Sequence, residues 1–221
     1  MPKRYVFFTA LSYAYPIYRP LQEAIRARGD EVAWFLEGEC PDLLKPDEIR
    51  LHTINDVIEY NPLAIFACGN IIYHFLPGIK VSVFHGYPIG KRGEKSSATD
   101  DHFSIRGWFD MYCTQGPSST EYFKQLEAKH QFFKVYQTGW AKVDEYFSSY
   151  KKENDVPTIL YATTFSKGIT SAPVLVDTIS RLVKEKKWNW RLTFHPKLND
   201  QALLDRYRAL ADEYSNVTFV D

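Results

Sequence analysis

Two histidines occupy positions where chemistry is expected in a chain of alternating strands and helices. His85 follows the predicted strand Ile79–Phe84 and precedes Gly86. Ligands of open α/β sheets bind at the carboxyl ends of the strands, and a histidine there can transfer a proton near neutral pH. From spacing alone, His85 is either such a group or a hydrogen-bonded structural histidine. Gly86, Pro88 and Lys91 would form the loop of this site.

His195 repeats the arrangement further along the chain. It ends the predicted strand Trp190–Phe194, and Pro196 holds it extended. Lys197 follows, and a helix is predicted from residue 199 or 200. Because a helix N-terminus presents N–H groups to anions, His195 and Lys197 are candidate ligands of a phosphate group.

A second loop of the same region has a composition that tolerates phosphate. It follows the predicted strand Thr158–Ala162 and supplies hydroxyl groups, a cation and a glycine. This composition is not specific to phosphate. The candidate donor-binding residues of this loop are Thr163, Thr164, Ser166, Lys167 and Gly168.

Several familiar signatures are missing from the sequence. No G-x-G-x-x-G follows the first predicted strand, and no G-x-S-x-G occurs. The stretch Gly86–Arg92 has three residues between its glycines where a phosphate-binding Walker loop has four. Arg92 also replaces the hydroxyl residue that would hold magnesium. We therefore expect no dinucleotide or other cofactor and no metal site.

Short apolar runs alternate with helical patterns, which predicts a doubly wound α/β fold. A capping box of Ser118 and Glu121 is predicted to open the third helix. The segment Ser12–Tyr18 is interpreted as a loop. The predicted strands of the first unit are Arg4–Thr9, Glu31–Leu36, Leu63–Cys68, Ile79–Phe84, Asp110–Thr114 and Phe132–Gln137, and its helices are Pro20–Gly29, Thr53–Tyr60 and Ser118–His130.

The pattern restarts after a charged stretch, which indicates a second domain. The sequence predicts an N-terminal Rossmann-like domain over residues 1–145, a linker over 146–157 and a second domain over 158–221. The second has only three predicted strands and two helices, about half of a Rossmann-like domain. Either the first unit covers its apolar surface, or the chain is a fragment; we expect a fragment with exposed apolar surface near Thr158–Ala162 or Val217–Val220.

Charge, cysteine use and hydropathy limit the classes of partner and compartment. The 27 Lys and Arg residues balance the 27 Asp and Glu residues, so no nucleic-acid partner is expected. The three cysteines are widely spaced, which suits a reducing cytosol. The apolar run Tyr5–Leu11 is too short for a membrane span and lacks the cleavage site of a leader peptide. We expect a cytoplasmic protein, with peripheral attachment to the inner face of the membrane as an option.

Four segments in order resemble the CDP-glycerol glycerophosphotransferase family, which includes teichoic-acid primases and polymerases. His85–Gly93 resembles its histidine-glycine-threonine-proline stretch with a downstream lysine, and Gly139–Asp144 is similar to a glycine-tyrosine-proline-arginine-x-aspartate segment. Ile159–Phe165 and Arg191–Pro196 resemble two strand ends of the family. Its serine-rich, aspartate-bearing donor loop would lie beyond Asp221, so we expect this chain alone to be inactive.

The resemblance implies a GT-B architecture with the site in the cleft between two Rossmann-like domains, here a complete first domain and the first half of a second. It implies that His85 is the general base and that His195 contacts the donor. The implied reaction moves glycerol phosphate, or a similar polyol phosphate, from a CDP-activated donor to a hydroxyl of a cell-surface glycan or lipid-linked acceptor. The alternatives are a GT-B glycosyltransferase that uses a nucleotide sugar and a non-catalytic nucleotide-binding domain.

Overall fold

The computed structural model describes residues 1–86, 105, 107–144, 146 and 155–220. The chain divides into two compact units, Met1–Tyr150 and Lys151–Asp221, and each is described by itself. Most of the predicted linker lies outside the described residues, as do Pro88 and Lys91.

The first unit is built on a parallel sheet of seven described strands in the order β3-β2-β1-β4-β5-β6-β7. Every pairing between neighbouring strands is parallel. The strands are β1 (Arg4–Thr9), β2 (Glu31–Leu36), β3 (Ile49–Leu51), β4 (Ala64–Ala67), β5 (Ile79–Ser82), β6 (Met111–Thr114) and β7 (Lys134–Gln137), and the helices are α1 (Tyr15–Arg26), α2 (Ile54–Tyr60) and α3 (Pro117–His130).

Both faces of this sheet are covered, which explains the nearly continuous apolar runs in the sequence. Successive residues of β1 point to opposite faces. Phe8 belongs to the buried cluster on one face, with Phe35 and Phe123. Phe7 belongs to the other cluster, where its ring stacks on Tyr18 at a centroid distance of 4.6 Å.

A buried tyrosine joins α1 to the ends of β1 and β4. The Tyr18 hydroxyl donates to the carbonyl of Phe8 at 2.9 Å and accepts from the backbone N–H of Cys68 at 2.6 Å. These strands are the two between which the chain order of the sheet reverses. Tyr18 therefore holds together the ends of β1 and β4. Open α/β sheets bind their ligands at such a reversal of strand order.

The prediction for the start of the first helix was wrong. A 3-10 turn forms at Ser12–Ala14, and α1 begins at Tyr15, within the segment interpreted as a loop. Burial of Tyr15 and Tyr18 at helical spacing stabilises this earlier start. Pro20, predicted to open the helix, lies inside it.

Other details also differ from the sequence-based predictions. The three-residue strand β3 was not predicted, and β5 ends at Ser82 rather than Phe84. The capping box of Ser118 and Glu121 does not form, because α3 begins one residue earlier at Pro117 with Gly116 as its N-cap. A proline fits the first helical position since its missing N–H would have no partner there.

The second unit is a parallel sheet of three described strands in the order β10-β9-β8. Its core lies between the sheet and two helices, where Leu192 and Tyr207 are fully buried. Asp200 caps the second helix by accepting from Leu203 N at 3.1 Å, close to the predicted start. The elements are β8 (Thr158–Thr163), β9 (Asn189–Phe194), β10 (Val217–Val220), α4 (Ala172–Lys184) and α5 (Gln201–Glu213).

The other face of this small sheet is open. The strand β8 alternates between exposed and partly buried residues, and 66% of Leu160 is exposed. Val220 at the end of β10 is 40% exposed. The expected exposure of apolar side chains in these two strands is confirmed, and its effect on self-association stays a prediction.

No helix in the described parts of the chain has the length and apolar character that crossing a bilayer requires.

Candidate functional site

His85 is presented by a backbone in an unusual conformation. It lies three residues beyond the end of β5, and the preceding Phe84 has a positive φ of 54°. Such a φ is unfavourable for a bulky residue and marks a position that the surroundings enforce. The Phe84 ring packs against the rings of Tyr112 and Phe123. This packing fixes the backbone from which the imidazole projects.

A backbone carbonyl orients the His85 ring. Nδ1 of His85 lies 3.2 Å from the carbonyl oxygen of Cys68, directly after β4. A carbonyl can only accept, so Nδ1 carries the proton in this hydrogen bond and the lone pair of the neutral ring belongs to Nε2. The ring of Tyr13 lies against the imidazole, with 5.1 Å between centroids. This arrangement is suited to a ring that accepts a proton at Nε2.

The loop that follows is anchored at its first residue. The Gly86 carbonyl accepts from Nε2 of Gln115 at 2.5 Å, and Gln115 is buried directly after β6. Residues at the ends of β4, β5 and β6 thus hold His85 and Gly86 in place.

A cleft of about 420 Å³ opens beside His85 at the carboxyl ends of β1, β2 and β4. Tyr13 and Cys68 belong to its lining and also contact His85. Burial raises the pKa of the Cys68 thiol to about 11, so this cysteine stays protonated and is no nucleophile. Other lining residues are Phe8, Glu37, Asn70 and Tyr73.

The sequence analysis did not identify the cleft residues Tyr13, Glu37 and Tyr73. Glu37 is the first residue after β2, and an acidic residue in that position was a usable signal. Tyr13 and Tyr73 do not directly follow a strand. Their place at this edge of the sheet is therefore visible only in the folded chain.

In the second unit, His195 directly follows β9 and its side chain is exposed. Its Nδ1 accepts the backbone N–H of Lys197 at 3.1 Å. A neutral imidazole whose Nδ1 accepts carries its proton on Nε2. His195 is therefore arranged to donate a hydrogen bond to a ligand, as a phosphate oxygen requires.

An aromatic ring organises this second cluster. The centroid of Phe165 lies 4.5 Å from that of His195, and Nζ of Lys197 lies 5.6 Å from the centroid of the same ring. The ring thus brings His195 and Lys197, the two residues of the predicted phosphate site, to one place. Phe165 was not predicted as a site residue, because an aromatic residue in a polar loop gives no specific signal.

Of the predicted loop residues, Thr163 is joined to His195 by a hydrogen bond, and the others lie in the loop that follows β8. Thr163 ends β8, its carbonyl accepts the backbone N–H of His195 at 3.2 Å, and its buried hydroxyl has no partner among the described residues. Ser166 forms a turn in which its carbonyl accepts from Thr170 N at 2.9 Å. Thr164, Lys167 and Gly168 lie in the same loop. Among the described residues, no three His, Cys, Asp or Glu side chains form a group that could hold a metal ion.

No protein-family model matches the sequence, and no curated protein matches it. Solved structures do resemble the chain. A putative UDP-N-acetylglucosamine 2-epimerase from Listeria monocytogenes is 13% identical with a TM-score of 0.58, and the match covers 100% of this chain and 69% of that one. A structure of the wall teichoic acid polymerase TagF is 13% identical with a TM-score of 0.55, over 100% of this chain and 61% of that one. This likeness shows the fold, a Rossmann-like α/β architecture of the GT-B kind.

Proposed function

We propose that the protein is a transferase that moves a glycerol-phosphate or similar polyol-phosphate unit from a CDP-activated donor to a hydroxyl group. The acceptor is a cell-surface glycan or a lipid-linked intermediate. The ordered motifs and the fold support this assignment. The observation that carries it is the opposite hydrogen bonding of the two histidines, one arranged to take a proton and one arranged to donate a hydrogen bond.

On the acceptor side, His85 is the general base. The Cys68 carbonyl holds Nδ1–H, so Nε2 takes the proton of the acceptor hydroxyl as its oxygen attacks. The cleft beside the ring, on the same edge of the sheet, provides room for the acceptor. A positioned general base typically accelerates such a step by about 10²–10⁴-fold.

On the donor side, the attacked atom is the distal phosphorus of the pyrophosphate. The new bond joins this phosphorus to the acceptor oxygen. The bond to the bridging oxygen breaks, and CMP leaves with its electron pair. His195 and Lys197 stabilise the negative charge on the pyrophosphate, with the Thr163 hydroxyl as a further donor.

The same proposal gives the setting of the reaction. A CDP-activated donor is a cytoplasmic metabolite, so the protein acts in the cytoplasm. A lipid-linked acceptor would bring it to the inner face of the membrane as a peripheral protein.

A donor panel tests the function. The full-length protein is incubated with CDP-glycerol, CDP-ribitol or UDP-sugars and a lipid-linked acceptor, and released nucleotide is measured. We expect CMP release from a CDP donor that depends on the acceptor, and its loss in His85→Ala but not in the matched control His52→Ala. UDP release from a UDP-sugar would favour the glycosyltransferase alternative. CDP binding without transfer would favour the non-catalytic one.

A further inference from the structure

The cleft of the first unit contains a carboxylate that the proposed chemistry does not use. Glu37 lies directly after β2, and its backbone N–H donates to the carbonyl of Thr9 at 2.9 Å. This bond holds Glu37 beside the end of β1, where the chain order of the sheet reverses. No ion pair of the described residues involves Glu37. The carboxylate is therefore fixed in the cleft without a neutralising partner among those residues.

One side chain orients this carboxylate. The hydroxyl of Tyr73 donates to Oε1 of Glu37 at 2.5 Å. The Tyr73 ring is itself held on two sides, edge-on to Phe8 at 5.4 Å and stacked on Phe75 at 5.5 Å. A ring fixed in this way keeps its hydroxyl on Oε1, and Oε2 can accept from a ligand.

The position of Glu37 suggests the chemical group that it would bind. In dinucleotide-binding sheets, an acidic side chain of the first β-α-β unit hydrogen-bonds a ribose hydroxyl, while a glycine-rich loop after β1 holds the pyrophosphate. Here the acidic residue is present at the end of β2, but the residues after β1 lack the glycines. This chain thus has the acidic residue that recognises hydroxyl groups in such a site, but it lacks the glycine-rich loop that binds phosphate.

We infer that the cleft binds a vicinal diol of an uncharged sugar or polyol, with Glu37 as the specificity-determining acceptor and Tyr73 as its positioning residue. The carboxylate accepts from the two hydroxyl groups, and the amide of Asn70 in the lining offers both a donor and an acceptor to the rest of the ligand. The Tyr13 ring supplies an apolar wall for the carbon face. A phosphate group is disfavoured beside Glu37, because like charges repel.

This inference deepens the proposed function, on which it rests for the identification of the diol with the acceptor. It specifies that the end of the acceptor that enters the cleft is uncharged and rich in hydroxyl groups rather than anionic. The diol would then lie on the same sheet edge as the proposed base His85.

Ligand-observed saturation-transfer NMR on the full chain tests the inference without donor or turnover. The probes are methyl β-D-ribofuranoside, its 2-deoxy analogue, ethanolamine and inorganic phosphate. We expect the riboside to bind, and the deoxy analogue to bind about 10-fold more weakly, since a lost hydrogen bond to a charged group costs about 1.5 kcal/mol or more. Glu37→Gln should lose most of this preference. The matched control Glu39→Gln, an exposed carboxylate of the same loop, should keep it.

Tyr73→Phe separates positioning from packing. It keeps the ring against Phe8 and Phe75 and removes only the hydroxyl. The expected result is a smaller preference for the diol over the deoxy analogue, with an unchanged thermal unfolding midpoint.

Four outcomes would overturn the inference: no riboside signal with the wild-type chain, equal binding of the deoxy analogue, unchanged preference in Glu37→Gln, or stronger binding of ethanolamine or phosphate to this cleft. Failure of the proposed transferase is a separate result, since it appears as absent CMP release. Riboside binding without CMP release would refute the transferase and keep the diol site.

Discussion

The two units each place a histidine beyond the carboxyl end of a parallel strand, yet they hold the ring by opposite hydrogen bonds. At His85, Nδ1 donates to the carbonyl of Cys68. At His195, Nδ1 accepts the N–H of Lys197. A neutral imidazole has one donor and one acceptor nitrogen, so the bond at Nδ1 decides what Nε2 can do. The comparison teaches that the end of a parallel strand determines where the histidine lies. The hydrogen-bond partner of Nδ1 determines whether the other ring nitrogen accepts or donates.

The two histidine rings also differ in burial and in the number of elements that hold them. His85 is partly buried and fixed by contacts from several elements, including the Phe84 backbone and the Gln115 anchor on Gly86. His195 is exposed and is held by its own loop and by Phe165. A proton-transfer group requires accurate placement against its substrate, whereas a ligand of a charged phosphate tolerates a looser one.

The largest effect on activity is expected from substitution of His85. His85→Ala should lower transfer by about 10²–10⁴-fold, because the acceptor hydroxyl loses its base. His85→Asn should be equally impaired, since an amide can still donate to Cys68 but cannot take a proton. The measurement is the rate of CMP release, with His52→Ala as the control. Activity of either His85 variant within a few-fold of wild type would exclude the base assignment.

A smaller effect is expected at His195. His195→Ala should weaken CDP binding by about 10- to 100-fold, the effect of one hydrogen bond to a charged group at about 1.5–3 kcal/mol. His195→Gln should lose less, because its amide N–H reaches the position of Nε2. Isothermal titration with CDP measures both constants. If the glutamine variant binds more weakly than the alanine variant, Nε2 is not the donor.

The topology could be predicted from the sequence because most strands are continuous apolar runs. The strands at Arg4–Thr9 and Glu31–Leu36 have the predicted bounds. The start of α1 was missed, because Tyr15 and Tyr18 in a polar stretch show their role only when burial is known. The strand Ile49–Leu51 was missed because three residues are too few to show a pattern.

The site was predictable only in part. A strand-end position identifies His85 and His195 as candidates. Their opposite hydrogen bonds come from Cys68, which lies 17 residues away in sequence from His85, and from a backbone N–H next to His195. Sequence spacing does not reveal which ring nitrogen a neighbour contacts. Phe165 is identified only in the folded chain, where its ring contacts both the His195 imidazole and the Lys197 ammonium group.

The units also differ in where polar side chains are buried. All buried polar or charged residues of the described chain lie in the first unit, and Glu48 is the one carboxylate among them. Burial alone would raise the pKa of Glu48, but hydrogen bonds from Arg19, the Lys45 backbone and Gln22 outweigh it and lower this pKa. A lowered pKa stabilises the fold above the ordinary value of 4.5 and loses that stabilisation as the pH falls.

Glu48→Gln tests this acid response. At neutral pH it should lower the free energy of unfolding by about 1–3 kcal/mol, the effect of weakening hydrogen bonds to a buried charge. The difference from wild type should shrink as the pH falls below 4.5, because Glu48 then protonates. Urea unfolding at neutral and acidic pH measures it, with the exposed Glu59→Gln as the control. A difference that grows at acidic pH would contradict the assignment.

The smallest expected effect concerns the open face of the second sheet. Leu160→Ala should change the free energy of unfolding by less than about 0.5 kcal/mol, since 66% of Leu160 is exposed. The matched Leu192→Ala on the adjacent strand should cost about 2–5 kcal/mol, because Leu192 is fully buried. Leu160→Lys should also reduce self-association, which sedimentation can measure. Equal destabilisation by the two alanine variants would mean that something covers the open face.

The division of roles between the two histidines is tested most directly by long-range ¹⁵N–¹H correlation NMR of the labelled chain. Each tautomer of a neutral imidazole has its own pattern of nitrogen shifts, because only one ring nitrogen carries a proton. Signals are assigned by their loss in His85→Ala and His195→Ala. We predict a proton on Nδ1 of His85 and on Nε2 of His195. The same tautomer at both positions, or the reverse assignment, would contradict the account.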